Sequence, residues 1–131
     1  MKKGGILNPA ICSLLAELGH QDELLIVDAG YPLPSDSHVI DLTLTPGIPR
    51  FLDVLRAVAE ELVIEGITVA TEIHDYSPKL YQEMLKIVGD VEVDEVPHHE
   101  FKEQSEGVKG VIRTAEFTSY ANVRILCGCA F

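Results

Sequence analysis

The sequence predicts one α/β domain spanning residues 1–131, built on a largely parallel sheet flanked by helices. Two observations carry this. Leu24-Leu25-Ile26-Val27 and Ile67-Thr68-Val69-Ala70-Thr71 are short apolar or β-branched runs, the signature of strands buried on both faces. Between such runs lie segments with apolar residues at helical spacing, and strands alternating with helices are how a parallel sheet covers its faces. No internal repeat, low-complexity tract or interdomain linker interrupts the pattern.

The elements follow in order. Asn8-Pro9 opens the first helix, Asn as a cap and Pro at the first helical position. Ile11, Leu14, Leu15 and Leu18 supply its stripe, and Gly19 reads as a left-handed stop. The first strand, Leu24 to Val27, ends on Asp28-Ala29-Gly30, and a Pro- and Ser-rich loop runs to His38. Val39 to Leu44 alternates as a second strand. Thr45-Pro46-Gly47-Ile48-Pro49 then turns the chain into a helix from about Arg50 to Leu62, with Phe51, Val54, Leu55, Val58 and Leu62 inward.

After the third strand, Ile67 to Thr71, the segment His74-Asp75-Tyr76 reads as a turn before a helix capped by Ser77-Pro78 and stopped by Gly89. Val91, Val93 and Val96, separated by acidic residues, mark a strand with one wet face. Pro97-His98-His99 opens a short polar helix that runs down by Gly107. Val108 to Thr114 and Val123 to Leu126 are the last strands, joined by the loop 115–122.

Composition narrows the functional classes. With 47 % hydrophobic and 24 % charged residues the chain is globular. A net charge of −11 argues against nucleic acid or an anionic membrane as partner, because phosphate binding needs a basic footprint. No long apolar span or signal-peptide pattern is present, so no membrane insertion is expected and the cytoplasm is the default. Cys12, Cys127 and Cys129 are an odd count, best read as free thiols. Cys127-Gly128-Cys129 lacks the C-x-x-C spacing of redox sites, and no second pair completes a zinc site.

The chemistry is expected around the first strand. Ligands of open α/β sheets sit outside the carboxyl ends of strands, where Asp28 projects. His20, at the strand's other end, is the one early side chain that exchanges protons near neutral pH. It is equally well read as a solvated residue that stabilises the end of the first helix. Asp28 and His20 meet either within one subunit or across a contact between two. His98 directly follows a strand and is the better candidate of the His98-His99 pair, His99 being an exposed helix start. Tyr120 and Asn122 offer a hydroxyl and an amide suited to a polyol, although Asn also serves turns. His20, His74, His98, His99 and Asp28 lack metal-ligand spacing, so no metal is expected, and no nucleotide or hydrolase signature occurs.

With these residues in view, the sequence resembles the ribose pyranase/fucose mutarotase family over essentially its whole length. The resemblance rests on Met1-Lys2-Lys3-Gly4-Gly5-Ile6-Leu7-Asn8, Leu18-Gly19-His20-Gln21-Asp22-Glu23, Asp28-Ala29-Gly30, Leu44-Thr45-Pro46-Gly47-Ile48-Pro49 and Ile112 to Asn122. It implies interconversion of the β-pyranose and β-furanose forms of D-ribose without a cofactor, or equilibration of another sugar's anomers. It implies that His20 is catalytic and that Asp28, His98 and Tyr120-Ala121-Asn122 bind the sugar. It also implies a ring-shaped homo-oligomer, a decamer of stacked pentamers, with sites near subunit contacts. Ser119 departs from the family pattern, which has proline there, and the ending Arg124 to Phe131 is unusual around its cysteines.

The chemistry agrees. Ring opening removes the anomeric hydroxyl proton and protonates the ring oxygen, and reclosure through another hydroxyl reverses these moves. A histidine titrating near neutrality works in both directions. In this reading His20 is the acid/base, and Asp28 holds a sugar hydroxyl or orients an imidazole. Other classes remain as alternatives: a non-catalytic sugar-binding subunit of an uptake system, and a protein binding metal through its histidines.

Overall fold

The computed structural model describes residues 1–131. The elements are α1 (Pro9–Glu17), β1 (Glu23–Val27), β2 (Val39–Asp41), α2 (Phe51–Ala59), β3 (Ile64–Ala70), α3 (Ile73–Tyr76), α4 (Pro78–Val88), β4 (Glu92–Val96), α5 (His98–Gln104), β5 (Gly110–Arg113) and β6 (Val123–Cys127). All six strands join one sheet in the order β2-β5-β1-β6-β3-β4. β1 pairs in parallel with β5, β5 with β2, and β3 with β4, in registers such as Leu25 opposite Val111 and Ile67 opposite Val93. β6 alone is reversed, antiparallel to both β1 and β3. The sheet is therefore mostly parallel, as its buried runs predict, with one reversed strand near its middle.

Four of the five residues of β1 are fully buried because both faces are covered. Leu24 and Ile26 face the larger core, filled by Leu14 of α1, Phe51, Leu55 and Val58 of α2, and Met84 of α4. Leu25 and Val27 face a smaller core closed by Phe101 of α5 and Tyr31. The rims are guarded by charge: edge strand β4 exposes Glu92, Asp94 and Glu95, which discourages further strand pairing.

Several boundaries differ from the sequence expectation, each for a local reason. β2 stops at Asp41 and does not reach Leu44, because the Asp41 side chain accepts from Thr43 N at 2.9 Å and turns the chain outward. α2 ends at Ala59, with a turn carrying the chain through Leu62, and β3 begins earlier, at Ile64. His74-Asp75-Tyr76 is part of the one-turn helix α3 rather than a plain turn. Ser77 sits at the start of α4, yet its hydroxyl donates to Ser119 O at 2.5 Å and caps nothing. After α1 the left-handed residue is Gln21 (φ 68°), not Gly19, whose N–H donates to Asp22 Oδ2 at 2.7 Å. Gly89 does end α4 in a left-handed conformation, φ 76°.

Candidate active site

β1 delivers Asp28 to the carboxyl rim of the sheet. The chain leaves β5 on one side of β1 and returns as β6 on the other, so residues 114–122 must arch across that rim. Hydrogen bonds tie the arch down. Thr114 donates to Val27 O from both N and Oγ1, at 2.9 and 2.8 Å, and Ala29 N donates to Glu116 O at 2.9 Å. Arg113, the last residue of β5, donates to Ala29 O from Nη2 at 2.7 Å and Nε at 3.2 Å, fixing the other wall.

Under the arch lies a cleft of about 570 Å³ whose walls include Asp28, Tyr76, His98, Glu116, Tyr120 and Asn122. It opens where ligand sites of α/β sheets are found. Asn122 is 1 % exposed and grips Asp28 at two points: Oδ1 accepts from Asp28 N at 2.8 Å, and Nδ2 donates to Asp28 Oδ2 at 3.0 Å. Gly30 N donates to the other carboxylate oxygen at 3.0 Å. Burial raises the Asp28 carboxyl above its ordinary range, against the lowering pull of the hydrogen bonds from Asn122 and Gly30.

His98 begins α5, where both oxygens of Glu72 accept its backbone N–H at 3.1 and 3.0 Å. Its ring meets Tyr120 edge-on at 5.1 Å and stacks over Phe101 at 6.4 Å. Burial lowers its imidazole pKa, and Lys102 adds to that effect. Nδ1 is buried without a partner, so a proton there would have nothing to bond. We therefore assign the neutral tautomer with the proton on Nε2. Tyr120 adopts a left-handed backbone, φ 60°, a conformation that costs a non-glycine residue energy and concentrates at functional sites. Tyr76 packs against its ring at 5.1 Å.

Four of the expected residues, Asp28, His98, Tyr120 and Asn122, thus line one cleft. Two do not. Ala121 is fully buried in the larger core and reaches the cleft by its backbone at most. His20 stands at the opposite rim, before β1, where Nε2 lies 3.0 Å from Glu65 Oε2 of β3. β1 alone, at about 3.3 Å per residue, separates the rims by about 13 Å. Within one chain His20 cannot touch what Asp28 touches.

Sequence reasoning passed over Glu116 as a wall of the cleft. Burial alone would raise this carboxyl, but hydrogen bonds from Thr118 Oγ1 (2.8 Å), Thr118 N (3.1 Å) and Phe51 N (3.1 Å) outweigh it and hold the group below its usual range. Glu116 so caps α2 across the chain. Nothing in the local pattern of a loop glutamate announces that partner. The same holds for Tyr76, whose position in α3 brings it to the cleft. No Lys or Arg lines the cleft, and no group of three or more His, Cys, Asp or Glu is placed to hold a metal. No helix is long and apolar enough to cross a membrane.

Known proteins match this chain along its full length. It is 45 % identical to the D-ribose pyranase of Glaesserella parasuis serovar 5, covering all of both chains. It is 48 % identical to the D-ribose pyranase of Geobacillus kaustophilus, covering all of this chain and 96 % of that protein. Among solved structures, Bacillus subtilis RbsD complexed with D-ribose superposes with a TM-score of 0.96 at 40 % identity, covering all of both chains. The fucose mutarotase of Streptococcus pneumoniae, solved with L-fucose, shares the fold at 19 % identity, with a TM-score of 0.78 over 95 % of each chain. The family model of the RbsD / FucU transport proteins matches residues 1–130, and the chain, with the arch and cleft described above, belongs to that family.

Proposed function

We propose that this protein is a D-ribose pyranase, an isomerase that interconverts the β-pyranose and β-furanose forms of D-ribose. The observation that carries the reading is the full-length likeness to a ribose-complexed structure, joined to a cleft of matching chemistry. A neutral sugar needs neutralising charge from no one. It needs several hydroxyl partners in fixed positions, and Asp28, His98, Tyr120 and Asn122 supply acceptors and donors on one surface.

His20 is the acid/base of this reading, and the carboxyl-rim cleft of one copy takes His20 from another. The two rims of a single chain lie too far apart, which is what supports a shared site. Exposed apolar side chains support the assembly. Leu44 is 78 % exposed and Ile48 55 % on the hairpin beside the arch, and Phe117 is 70 % exposed on the arch itself. Such a patch next to a cleft suits a subunit contact. A closed ring repeats one head-to-tail contact at every subunit, so a ring, or a decamer of two stacked pentamers, has room for such a shared site at each contact.

Magnetisation-exchange NMR on D-ribose at equilibrium tests the reading. Faster pyranose–furanose exchange with the protein, lost in His20→Ala, is the expected result. Binding of ribose without faster exchange would instead identify a sugar-binding subunit. Acceleration for fucose and not ribose would reassign the sugar.

A further inference from the structure

Ring opening moves two protons: one leaves the anomeric oxygen and one arrives on the ring oxygen. One histidine at the ring oxygen leaves the first transfer without a group, and the cleft has to supply it. The candidates there are Glu116, His98, Tyr31, Tyr76, Tyr120 and Asp28. Geometry and chemistry remove all but one. Glu116 is committed on both oxygens, one accepting from Phe51 N and the other from Thr118 N and Oγ1, and these hydrogen bonds hold its carboxyl below the usual range, making it the weaker base. His98 keeps Nδ1 buried and unpartnered, so it gains no proton there and serves as a neutral donor through Nε2. Phenolic hydroxyls such as those of Tyr31, Tyr76 and Tyr120 are donors first and poor proton acceptors.

Asp28 has what the others lack. An ionised carboxylate carries about four lone-pair sites, and here one is used on each oxygen, by Gly30 N and Asn122 Nδ2 at 3.0 Å each. Each oxygen retains room for a sugar hydroxyl. The carboxylate plane is fixed in advance, since Asn122 also holds the Asp28 backbone N–H at 2.8 Å. We infer that Asp28 is the cleft's proton acceptor, taking the proton of the anomeric hydroxyl as the ring opens. This rests on the proposed pyranase reading.

The step balances. Asp28 takes the O1 proton, the O1 electron pair forms the C1 carbonyl, and the bond from C1 to the ring oxygen breaks. The ring oxygen takes a proton from the imidazolium form of His20. On closure the 4-hydroxyl oxygen attacks C1 and gives its proton to the now neutral imidazole, while Asp28 returns its proton to O1. No oxidant, reductant or third reactant enters. The titratable groups facing the carboxylate are His98 from α5, Tyr31 from the segment after β1, and Glu116 and Tyr120 from the arch; Arg113 lies behind it on Ala29 O. The raised proton affinity of Asp28 brings the base closer to the working pH, which strengthens proton transfer.

The test compares wild type, Asp28→Asn and His20→Ala by ribose exchange, with kcat and KM separated and ribose affinity measured calorimetrically. Asp28→Asn is expected to lower kcat by about 100-fold or more while KM stays within a few-fold. A variant that keeps kcat and only raises KM overturns the inference, because Asp28 then merely holds a hydroxyl. Should Asp28→Asn misfold, the wild-type pH profile decides. Loss of kcat on acidification through a carboxyl titrating above the ordinary range, with ribose still bound, is expected; a flat acid side overturns the inference. Wild-type exchange that vanishes in His20→Ala but survives in Asp28→Asn sinks this role alone. Absence of exchange in wild type sinks the pyranase reading and the role together.

Discussion

Asn122 and Asp28, 94 residues apart in sequence, are joined by two hydrogen bonds, one to the backbone and one to the carboxylate. The pair couples the start of β6 to the end of β1, so the core of the sheet and the base of the cleft are held by one amide. Asn122→Ala leaves a buried N–H and a carboxylate oxygen without their partner. A loss of about 1–3 kcal/mol is expected from such orphaned groups. Denaturant unfolding should show it, together with a raised KM for ribose.

His20 pairs with Glu65 in a half-exposed setting, and exposed pairs contribute about 0–1 kcal/mol. His20→Ala should therefore leave thermal stability almost unchanged while abolishing exchange. A sharper result is expected from co-refolding His20→Ala with Asp28→Ala chains. Each is inactive alone, but mixed assemblies contain some sites with an intact Asp28 from one copy and an intact His20 from another. Recovery of exchange supports the shared site. Failure of mixed assemblies to recover any activity would place both groups in one chain.

The lowered pKa of His98 has a sign that can be checked. Its ordinary value is 6.5 and its folded value lies below that. As pH falls through 6.5 the unfolded chain takes a proton that the folded chain refuses, so stability is lost. The loss stops growing once pH drops below the folded value. His98→Gln should flatten this part of the stability curve relative to wild type, the other histidines being common to both proteins. Equal slopes in the two proteins would show that His98 is not held neutral by the fold.

The cysteines differ in accessibility. Cys127 is buried and its thiol is pushed up to about 11, chiefly by burial and then by Asp22 and Glu23. Cys129 is exposed. A thiol reagent at neutral pH should label Cys129 in the native protein and reach Cys127 only on unfolding, since the thiolate is the reactive form. Mass spectrometry of labelled peptides would show it.

Much of this architecture was legible in the residues. Leu24 to Val27 reads as a strand buried on both faces, and Asp28 falls where such strands present ligand groups. The direction of β6 was not legible: Val123, Ile125 and Cys127 alternate with half-buried Arg124 and Leu126 whichever way the strand runs. Strand polarity depends on how the connection crosses the sheet, which no local pattern encodes. The site was legible in part for the same reason. Asp28, His98, Tyr120 and Asn122 each sit at the end of an element or in a loop that the topology gathers. Glu116 went unnoticed because its partners, the Phe51 amide and Thr118, define it only in three dimensions.

The reversed strand has a consequence for biosynthesis. Without β6 the sheet is two separate ribbons, β2-β5-β1 and β3-β4, with no hydrogen bond between them. A chain emerging from the ribosome can pair β3 with β4 early, but β1 and β2 have no common partner until β5 arrives at residues 110–113, and only residues 123–127 then zip the two ribbons together. The same arrival brings Asn122 to Asp28 and closes the arch. Synthesis therefore yields no half-built catalyst. The protein gains its sheet and its cleft in a single late event, and any lesion that delays β6 should leave exposed apolar strand faces for chaperones to hold.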